Sequence, residues 1–324
     1  MKSVYVFLSF VIMVFTPPAG FGFDREKYEL TLGLGSEFYY GTSREIVYQN
    51  AKSDRYLSEL RWELRPLVLI QANASLGPRK TYRRPAFFAD LKAGIGIPAE
   101  TGAMEDRDWL PNSTVPGSLS LFSRHENHTR TAVTAASGAG ISFPLGSYFF
   151  IRPLIAFDYM YFKWEGRNGY TQYGTNKADR PDNKPWNSSW GKKSQTGRLI
   201  TFEQHWFILS TGARFGFNLD AFSLEGSLRI TPLVFCYSVD HHYLRDLVFT
   251  DAMFFGLYLE PELRLGYDLG RVRLEGFIAY RYIGETRGIA KTADNGKGAT
   301  YYHGYVAGAA FEAFRGGLTA RYIF

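Results

Sequence analysis

Two short segments of the chain each carry two ionisable residues at positions i and i+2, a spacing that points both side chains to one side of an extended strand. MEDRDW contains Asp106 and Asp108, and YSVDHHY contains Asp240 and His242. Two neighbouring carboxyls resist being charged together, so one retains a proton, and a carboxylate beside an imidazole makes that imidazole a better base. Together the two pairs suit the attack of an activated water on an amide bond.

The same region allows a metal site as an alternative. Zinc ligands could come from Asp240, His241, His242, His125 and His128. The sequence has no HExxH helix and no set of cysteine ligands, however, and the adjacent His241 and His242 point in opposite directions on a strand. We therefore expect no metal. An acidic rim that binds cations or keeps the surface hydrated is a simpler alternative to catalysis.

A third candidate pair is Ser123 and His125 in SRHENH, which could act as a serine hydrolase dyad on a lipid or a peptide. No GxSxG elbow accompanies these two residues. We interpret them as an accessory, hydrogen-bonded structural pair.

The N-terminal segment MKSVYVFLSFVIMVFTPPAG combines one lysine, an apolar run and then proline and small residues. This pattern predicts a secretory signal peptide at 1–22 and one mature domain at 23–324. The single cysteine, Cys236, cannot form an internal disulfide. The formal net charge of +6 indicates acidic partners. In an exported chain these are anionic lipid headgroups rather than nucleic acid.

Period-two alternation of apolar and polar residues recurs through the mature chain. From 253 to 267 the odd positions are apolar, and from 272 to 282 the even positions are, with glutamate and arginine between them. One apolar face and one polar face are typical of a strand in a transmembrane barrel. The final residues, GGLTARYIF, resemble the C-terminal signal of bacterial outer-membrane barrels.

The alternating stretches predict an all-β fold, a ten-stranded antiparallel transmembrane β-barrel with long extracellular loops. The strands lie near 27–41, 56–71, 87–98, 129–143, 149–164, 197–217, 222–238, 247–267, 271–284 and 300–324. The longer connections lie near 42–55, 99–128, 165–196, 239–246 and 285–299, while PLGS, FNLD and DLGR are tight turns at the other end. A soluble β-sandwich also alternates, but strands of this length argue against it. We interpret the polar segment 168–197 as a surface loop rather than a substrate-contacting flap.

The alternation changes phase within the strand that leads to the Asp-His pair. Apolar residues up to Ile230 lie at even positions, whereas those from 233 to 239 lie at odd positions. The proline at the switch, Thr231–Pro232, predicts a bulge. Such a bulge would turn Asp240 and His242 toward the barrel interior.

These landmarks, taken in order, resemble the omptins, which are outer-membrane aspartic-type endopeptidases on a ten-stranded barrel. GTSREIVYQ (41–49) and LSELRW (57–62) are similar to the family's first loop and to the strand after it. MEDRDW is similar to its D-x-D-W segment, SRH follows at a suitable distance, and residues 222–243 are similar to the strand that leads into D-x-H. The resemblance covers nearly the whole mature chain.

The resemblance implies a role for each of four residues. Asp106 and His242 would flank the attacking water, Asp240 would orient His242, and Asp108 would support Asp106. The serine and histidine of SRH would be accessory. Neither a metal nor a covalent intermediate is implied, and no cofactor is expected apart from a possible dependence on lipopolysaccharide.

Substrate binding is implied for Glu45 and for position 238. Glu45 matches the family's acid in the pocket for a basic side chain before the cleaved bond, where a carboxylate can pair with arginine. The family usually adds a second acid two residues before the aspartate of D-x-H, but this chain has Ser238 there. We therefore expect a weaker or broader selectivity for basic residues.

The lipid element of the family is also altered. Omptins typically need lipopolysaccharide, and their Tyr-x-Glu-x-Arg element falls on FDYMY (157–161). At the matching positions this segment has neither the glutamate nor the arginine. Either another lipid contact replaces it, or the requirement is lost.

Taken together, the sequence predicts a monomeric endopeptidase of the bacterial outer membrane whose active site faces the extracellular side. Its partners would be polypeptide substrates, cleaved near basic residues, and outer-membrane lipids. Two other functions stay open at this point. One is a non-catalytic barrel that acts as an adhesin or receptor, and the other is a lipid-modifying serine hydrolase.

Overall fold

A computed structural model of the chain describes residues 24, 26–111, 115–173 and 185–324. The predicted signal peptide, 1–22, lies outside these residues. The strands in the described part are β1 (Tyr28–Tyr48), β2 (Tyr56–Pro78), β3 (Ala86–Gly96), β4 (Ala99–Asp108), β5 (Leu121–Leu145), β6 (Phe149–Gln172), β7 (Lys193–Ser194), β8 (Arg198–Leu219), β9 (Phe222–Thr231), β10 (Val234–His242), β11 (Leu247–Phe254), β12 (Tyr258–Leu269), β13 (Val272–Asp294) and β14 (Ala299–Ile323). None of these residues belongs to a helix that is long and apolar enough to cross a membrane.

The strands pair antiparallel into one closed sheet. The last strand, β14, pairs with β1 from Thr31 opposite Ile323 to Val47 opposite Ala307, which closes the ring. Three strands of the ring are interrupted, because β3 continues into β4, β9 into β10 and β11 into β12, while the short β7 only pairs with the end of β6. Over the described residues the ring thus has ten strands, which confirms the predicted all-β antiparallel barrel.

An apolar belt surrounds the outside of the barrel. Leu34 on β1, Ile70 on β2, Ile278 on β13 and Leu318 on β14 are 60–70% exposed. Side chains of this kind are exposed in a ring only where lipid covers them. Tyr40 lies at the edge of the belt where β1 continues toward its end, and we call this end of the barrel the upper end.

The strands extend farther beyond the belt than the alternation predicted. β1 continues to Tyr48, β6 to Gln172 and β13 to Asp294, and β5 begins at Leu121. The predicted loops near 42–55, 99–128, 165–196 and 285–299 are therefore wrong in part, because 42–48, 99–108, 121–128, 165–172 and 285–294 belong to strands. Above the membrane the outward side chains no longer need to be apolar, so the period-two pattern fades although the backbone pairing continues.

The lower connections match the prediction. The turns PLGS, FNLD and DLGR join β5 to β6, β8 to β9 and β12 to β13. Each contains one residue in the left-handed backbone region, namely Gly146, Asp220 and Gly270. Of the polar segment 168–197, residues up to 172 belong to β6 and 193–194 to β7, while 174–184 lie outside the described residues.

The predicted phase change at Thr231–Pro232 is confirmed by the strand register. Ile230 pairs with Thr211 of β8, and Val234 pairs with Ile208, so four steps on one strand match three on the other. One extra residue is a bulge, and it exchanges the inward and outward faces. Ile230 consequently faces outward, whereas Asp240 is buried inside the barrel.

A second interruption corrects the prediction of unbroken alternation from 253 to 267. Met253 on β11 is buried, and Tyr258 on β12 is also buried, so the inward face passes from odd to even positions between them. Phe255, in the connection between the two strands, has a left-handed backbone with φ of 61°. The break lies beside the bulge of β9 and β10, where Tyr258 pairs with Thr231 and Phe254 with Phe235. Two neighbouring strands therefore change phase together and keep their pairing.

Candidate active site

The predicted acid pair lies on the inward face of β4 at the upper end. Asp106 and Asp108 follow the buried Met104 at two-residue steps. On the neighbouring strand β2 they lie opposite Leu60 and Ser58. Oδ1 of Asp106 is buried and has no hydrogen-bond partner among the described residues. Burial, and then the neighbouring Asp108, raise the pKa of Asp106 well above its ordinary value, and burial also raises the pKa of Asp108. At neutral pH the pair therefore tends to retain a proton.

The predicted Asp-His pair lies on the inward face of β10. Asp240 and His242 are both buried, and Nε2 of His242 lies 2.5 Å from Oδ2 of Asp240. Oδ1 of Asp240 has no hydrogen-bond partner in the part of the chain that the structure describes. His241, between them, pairs with Thr201 of β8 and points to the outside, as the alternation requires.

Arg245 joins this pair, although the sequence pattern did not single it out. It lies in the turn after β10, and its guanidinium donates a hydrogen bond to Nδ1 of His242. Because a guanidinium only donates, Nδ1 is the accepting nitrogen and Nε2 carries the proton that His242 donates to Asp240. The charge of Arg245 also lowers the pKa of both Asp106 and Asp108, so the arginine lies between the two pairs.

The fold brings the two pairs together although β4 and β10 are not neighbours. On the shorter way round the ring three strands, β5, β6 and β8, lie between them, which places them on facing walls of the barrel. Repulsion from Asp240 contributes to the raised pKa of Asp106, and His242 partly lowers the pKa of Asp108, so the charges act on each other across the opening. The four groups thus surround one space at the upper mouth.

The Ser-His pair lies beside the acid pair. Ser123 pairs with Asp106 across β4 and β5, and its Oγ lies 2.9 Å from Nε2 of His125. Nδ1 of His125 lies 2.5 Å from the carbonyl oxygen of Asn168, so Nδ1 donates and Nε2 accepts the serine proton. Burial lowers the pKa of His125, which keeps the ring neutral. In the described part of the chain no carboxylate contacts this imidazole, unlike that of His242.

The predicted substrate-binding residues line the same mouth, Glu45 on β1 and Ser238 on the strand that carries Asp240 and His242. Glu45 on β1 is buried, and none of the described residues forms a hydrogen bond with its Oε2. Ser238 on β10 is also buried, and it pairs across the strands with Asp251 of β11. Burial, followed by Asp240, Asp251 and Asp106, raises the pKa of Glu45 well above its ordinary value. Sequence reasoning missed Asp251, because no spacing connects it with the other acids.

An aromatic layer closes the space from below. Trp62 of β2, Trp164 of β6 and Phe202 of β8 stack on one another with ring centroids 5.6–6.0 Å apart. All three are fully buried, and Phe202 pairs directly with Asp240. This layer separates the site from the polar interior of the membrane-spanning part, so the acids above it lie in a poorly hydrated environment.

The outside of the barrel carries a polar and aromatic cluster where the family has its lipid element. Tyr161 on β6 donates a hydrogen bond of 2.9 Å to Glu203 of β8, and Lys163 lies 2.6 Å from the same carboxylate. Tyr159 lies 2.9 Å from Nδ1 of His205. The acid and the cation that FDYMY lacks are therefore present nearby, on a neighbouring strand and two residues farther along β6.

Histidine, cysteine and acidic side chains come close at several points, but within the described ranges no three of them form a set that could hold a metal ion. His128, one of the possible ligands, lies 3.6 Å from Glu126 on β5 instead.

Comparison with known proteins agrees with this geometry. Residues 26–324 match the model of the omptin family. The plasminogen activator of Yersinia pestis is 20% identical over 283 residues, which cover 83% of this chain and 80% of that protein. The crystal structure of the outer membrane protease OmpT from Escherichia coli superposes with a TM-score of 0.78 at 15% identity, covering 91% of this chain and 97% of the other. The chain therefore belongs to the omptin family and is an outer-membrane β-barrel of the protease type.

Proposed function

We propose that this barrel is an endopeptidase of the outer membrane that hydrolyses polypeptides at its extracellular mouth, using Asp106 with Asp108 and Asp240 with His242. The observation that carries the proposal is the convergence of these two pairs from facing walls above a closed aromatic layer. Glu45 in the same mouth favours cleavage next to a basic residue.

In this mechanism a water molecule lies between Asp106 and His242. Nδ1 of His242 accepts a proton from the water while its oxygen attacks the amide carbon, and Asp240 holds the ring by accepting a hydrogen bond from Nε2. The proton then passes to the leaving amine as the carbon–nitrogen bond breaks, so His242 returns to its neutral state. Arg245 contacts Nδ1 in the unliganded barrel and must release it when substrate enters.

The acid pair supplies complementary chemistry. The retained proton of Asp106 and Asp108 can form a hydrogen bond to the developing oxyanion, while the remaining negative charge holds the water. No metal takes part, as in other members of the family.

The test compares folded wild type with three variants on a set of basic and neutral peptides. We expect His242→Ala and Asp106→Ala each to lower kcat/KM by about 10²–10⁴, the usual contribution of general acid–base groups. Ser123→Ala should have a much smaller effect, because a buried accessory hydroxyl contributes only packing and one hydrogen bond. Adding lipopolysaccharide to each reaction tests its requirement.

The outcomes separate the alternatives. Wild-type activity that survives both His242→Ala and Asp106→Ala would sink the assigned mechanism. Activity abolished by Ser123→Ala alone would favour a serine hydrolase on the Ser123–His125 pair. A folded wild type that cleaves no peptide, with or without lipopolysaccharide, would favour an adhesin or receptor.

A further inference from the structure

We infer that Asp251 is the second acid of the pocket for a basic side chain, so that this chain carries on β11 the carboxylate that the pattern of its relatives places on β10. The inference rests on the proposed endopeptidase function and names a specificity residue for it. It also reverses the expectation, drawn from Ser238, of a weak preference for basic residues.

Strand register provides the first argument. Ser238 and Asp251 are directly opposite each other on the antiparallel pair β10 and β11, and both are buried on the inward face. Side chains in such a pair have Cβ atoms about 4.5–5.5 Å apart. A carboxylate at position 251 therefore borders nearly the same part of the mouth as one at position 238, although it comes from the neighbouring strand.

The wall between Glu45 and Asp251 consists of small residues. Glu45 pairs with Ala309 of β14, and Asp251 pairs with Ala290 of β13. Ala307 continues this wall on β14. Because these side chains end at Cβ, the two acids border an open space that a long side chain can enter. Its floor is formed by Cys236 and Met253, the next inward-facing residues below Ser238 and Asp251. Both are fully buried.

The charge balance indicates a cationic ligand. Glu45 is 4% exposed, and within the described ranges neither its Oε2 nor Oδ1 of Asp240 has a hydrogen-bond partner. Burial, followed by repulsion from Asp240 and Asp251, raises the pKa of Glu45, and burial followed by Asp240 raises the pKa of Asp251 to about 7. Among the residues that the structure describes, no cation of the barrel acts on these two pKa values.

The ligand is an organic cation rather than a metal ion. Among the residues that the structure describes, these carboxyls do not form a set able to coordinate a metal. A guanidinium is planar, carries five N–H donors and can bond to two separate carboxylates at once, so an arginine side chain fits an acid on each wall. Lysine has one compact charge and bridges two carboxylates less well.

The experiment uses two internally quenched peptides that are identical except for one arginine, which is replaced by the uncharged isostere citrulline in the second. The readout is the ratio of the two kcat/KM values, from which the common catalytic step cancels. We expect wild type to favour arginine and Asp251→Asn to lower the ratio by about 10- to 100-fold, the range for loss of a charged hydrogen bond.

Two further variants make the test specific. The exchange Ser238→Asp with Asp251→Ser moves the acid back to β10 and should restore the preference for arginine. Asp54→Ser removes one acid at the same end of the barrel, but Asp54 has a 99% exposed side chain that pairs with Arg287, so the ratio should not change.

A readout without cleavage distinguishes failure of the pocket from failure of the enzyme. Agmatine carries the guanidinium of arginine, and saturation-transfer NMR should detect its binding to wild type and a loss of binding to Asp251→Asn. Peptide cleavage with no arginine preference, or a preference that survives Asp251→Asn, overturns the pocket and leaves the endopeptidase intact. Agmatine binding that depends on Asp251 in a barrel that cleaves neither peptide supports the pocket and overturns the endopeptidase.

Discussion

The middle of the barrel and its upper mouth both bury carboxylates, but those in the middle pair with arginines and those in the mouth face other acids. In the middle, Asp158 contacts Arg281 at 2.9 Å and Arg229 at 2.5 Å, and Arg315 lies 2.6 Å from both Glu37 and Glu260. In the mouth, buried acids face one another, and the charge of Arg245 acts on the acid pair. A buried charge without a partner is unfavourable, so a protein retains several only where a ligand or a reaction uses them.

Removing an arginine from the ion pairs in the middle of the barrel should have the largest effect, a loss of stability. Arg281 is 2% exposed and bonds to both Asp158 and Glu260 across the lumen. We expect Arg281→Met to lower the free energy of unfolding by about 3–5 kcal/mol, because it leaves buried carboxylates short of a cation. Urea unfolding of the barrel in lipid, followed by tryptophan fluorescence, measures this loss. Arg84→Met removes an exposed arginine and is the control; an equal loss there would contradict the role of the network.

Removing charge from the acids of the mouth should have the opposite effect and stabilise the barrel. Glu45, Asp106 and Asp251 have raised pKa values, so the folded state binds more protons than the unfolded chain between the ordinary carboxyl pKa and about pH 7. Stability should therefore fall as pH rises through this window, by about 1–3 kcal/mol. The combined variant Glu45→Gln, Asp106→Asn and Asp251→Asn should lose this fall and be more stable than wild type at pH 8. A variant as pH-sensitive as wild type would refute the contrast.

Substrate selectivity should follow the charge of the same acids. Asp251 becomes charged as pH rises past about 7, and the titratable groups that face it are Glu45, Asp240 and Cys236. The ratio of arginine to citrulline cleavage should rise by up to about tenfold between pH 6 and pH 8, because a charged carboxylate binds a guanidinium more strongly. The matched measurement is the same ratio in Asp251→Asn, which should depend less on pH.

The smallest effect is expected at Arg245. Its charge lowers the pKa of Asp106 and Asp108, so Arg245→Gln should raise both values and move the acidic limb of the kcat/KM profile to higher pH, by less than about one unit because the side chain is exposed. An acidic limb that stays in place, or moves to lower pH, would show that the arginine does not act on the acid pair.

The sequence predicted the membrane-spanning part well and the rest of each strand poorly. Within the belt lipid requires apolar residues outside while the interior stays polar, and this contrast is visible as alternation. Above the belt both faces meet water or protein, so the extensions that carry Glu45 on β1 and Ser123 on β5 look like loops in the sequence.

The candidate site was likewise predictable only in part. The i, i+2 pairs at 106–108 and 240–242 and the proline at 232 are local signals, because strand geometry fixes which side chains share a face. The structure places the two pairs on facing walls, as a water flanked by Asp106 and His242 requires, whereas their catalytic roles remain proposals.

What the sequence by itself determined is the alternation, the bulge and the two ionisable pairs, since each depends on residues close together along the chain. Only the closed ring decided which distant side chains meet. It placed Asp251 opposite Ser238 and brought Arg245 between the two pairs. It also set Glu45 close to Asp240 and Asp251. The register of one strand against the next is a property of the whole sheet, and no local pattern contains it.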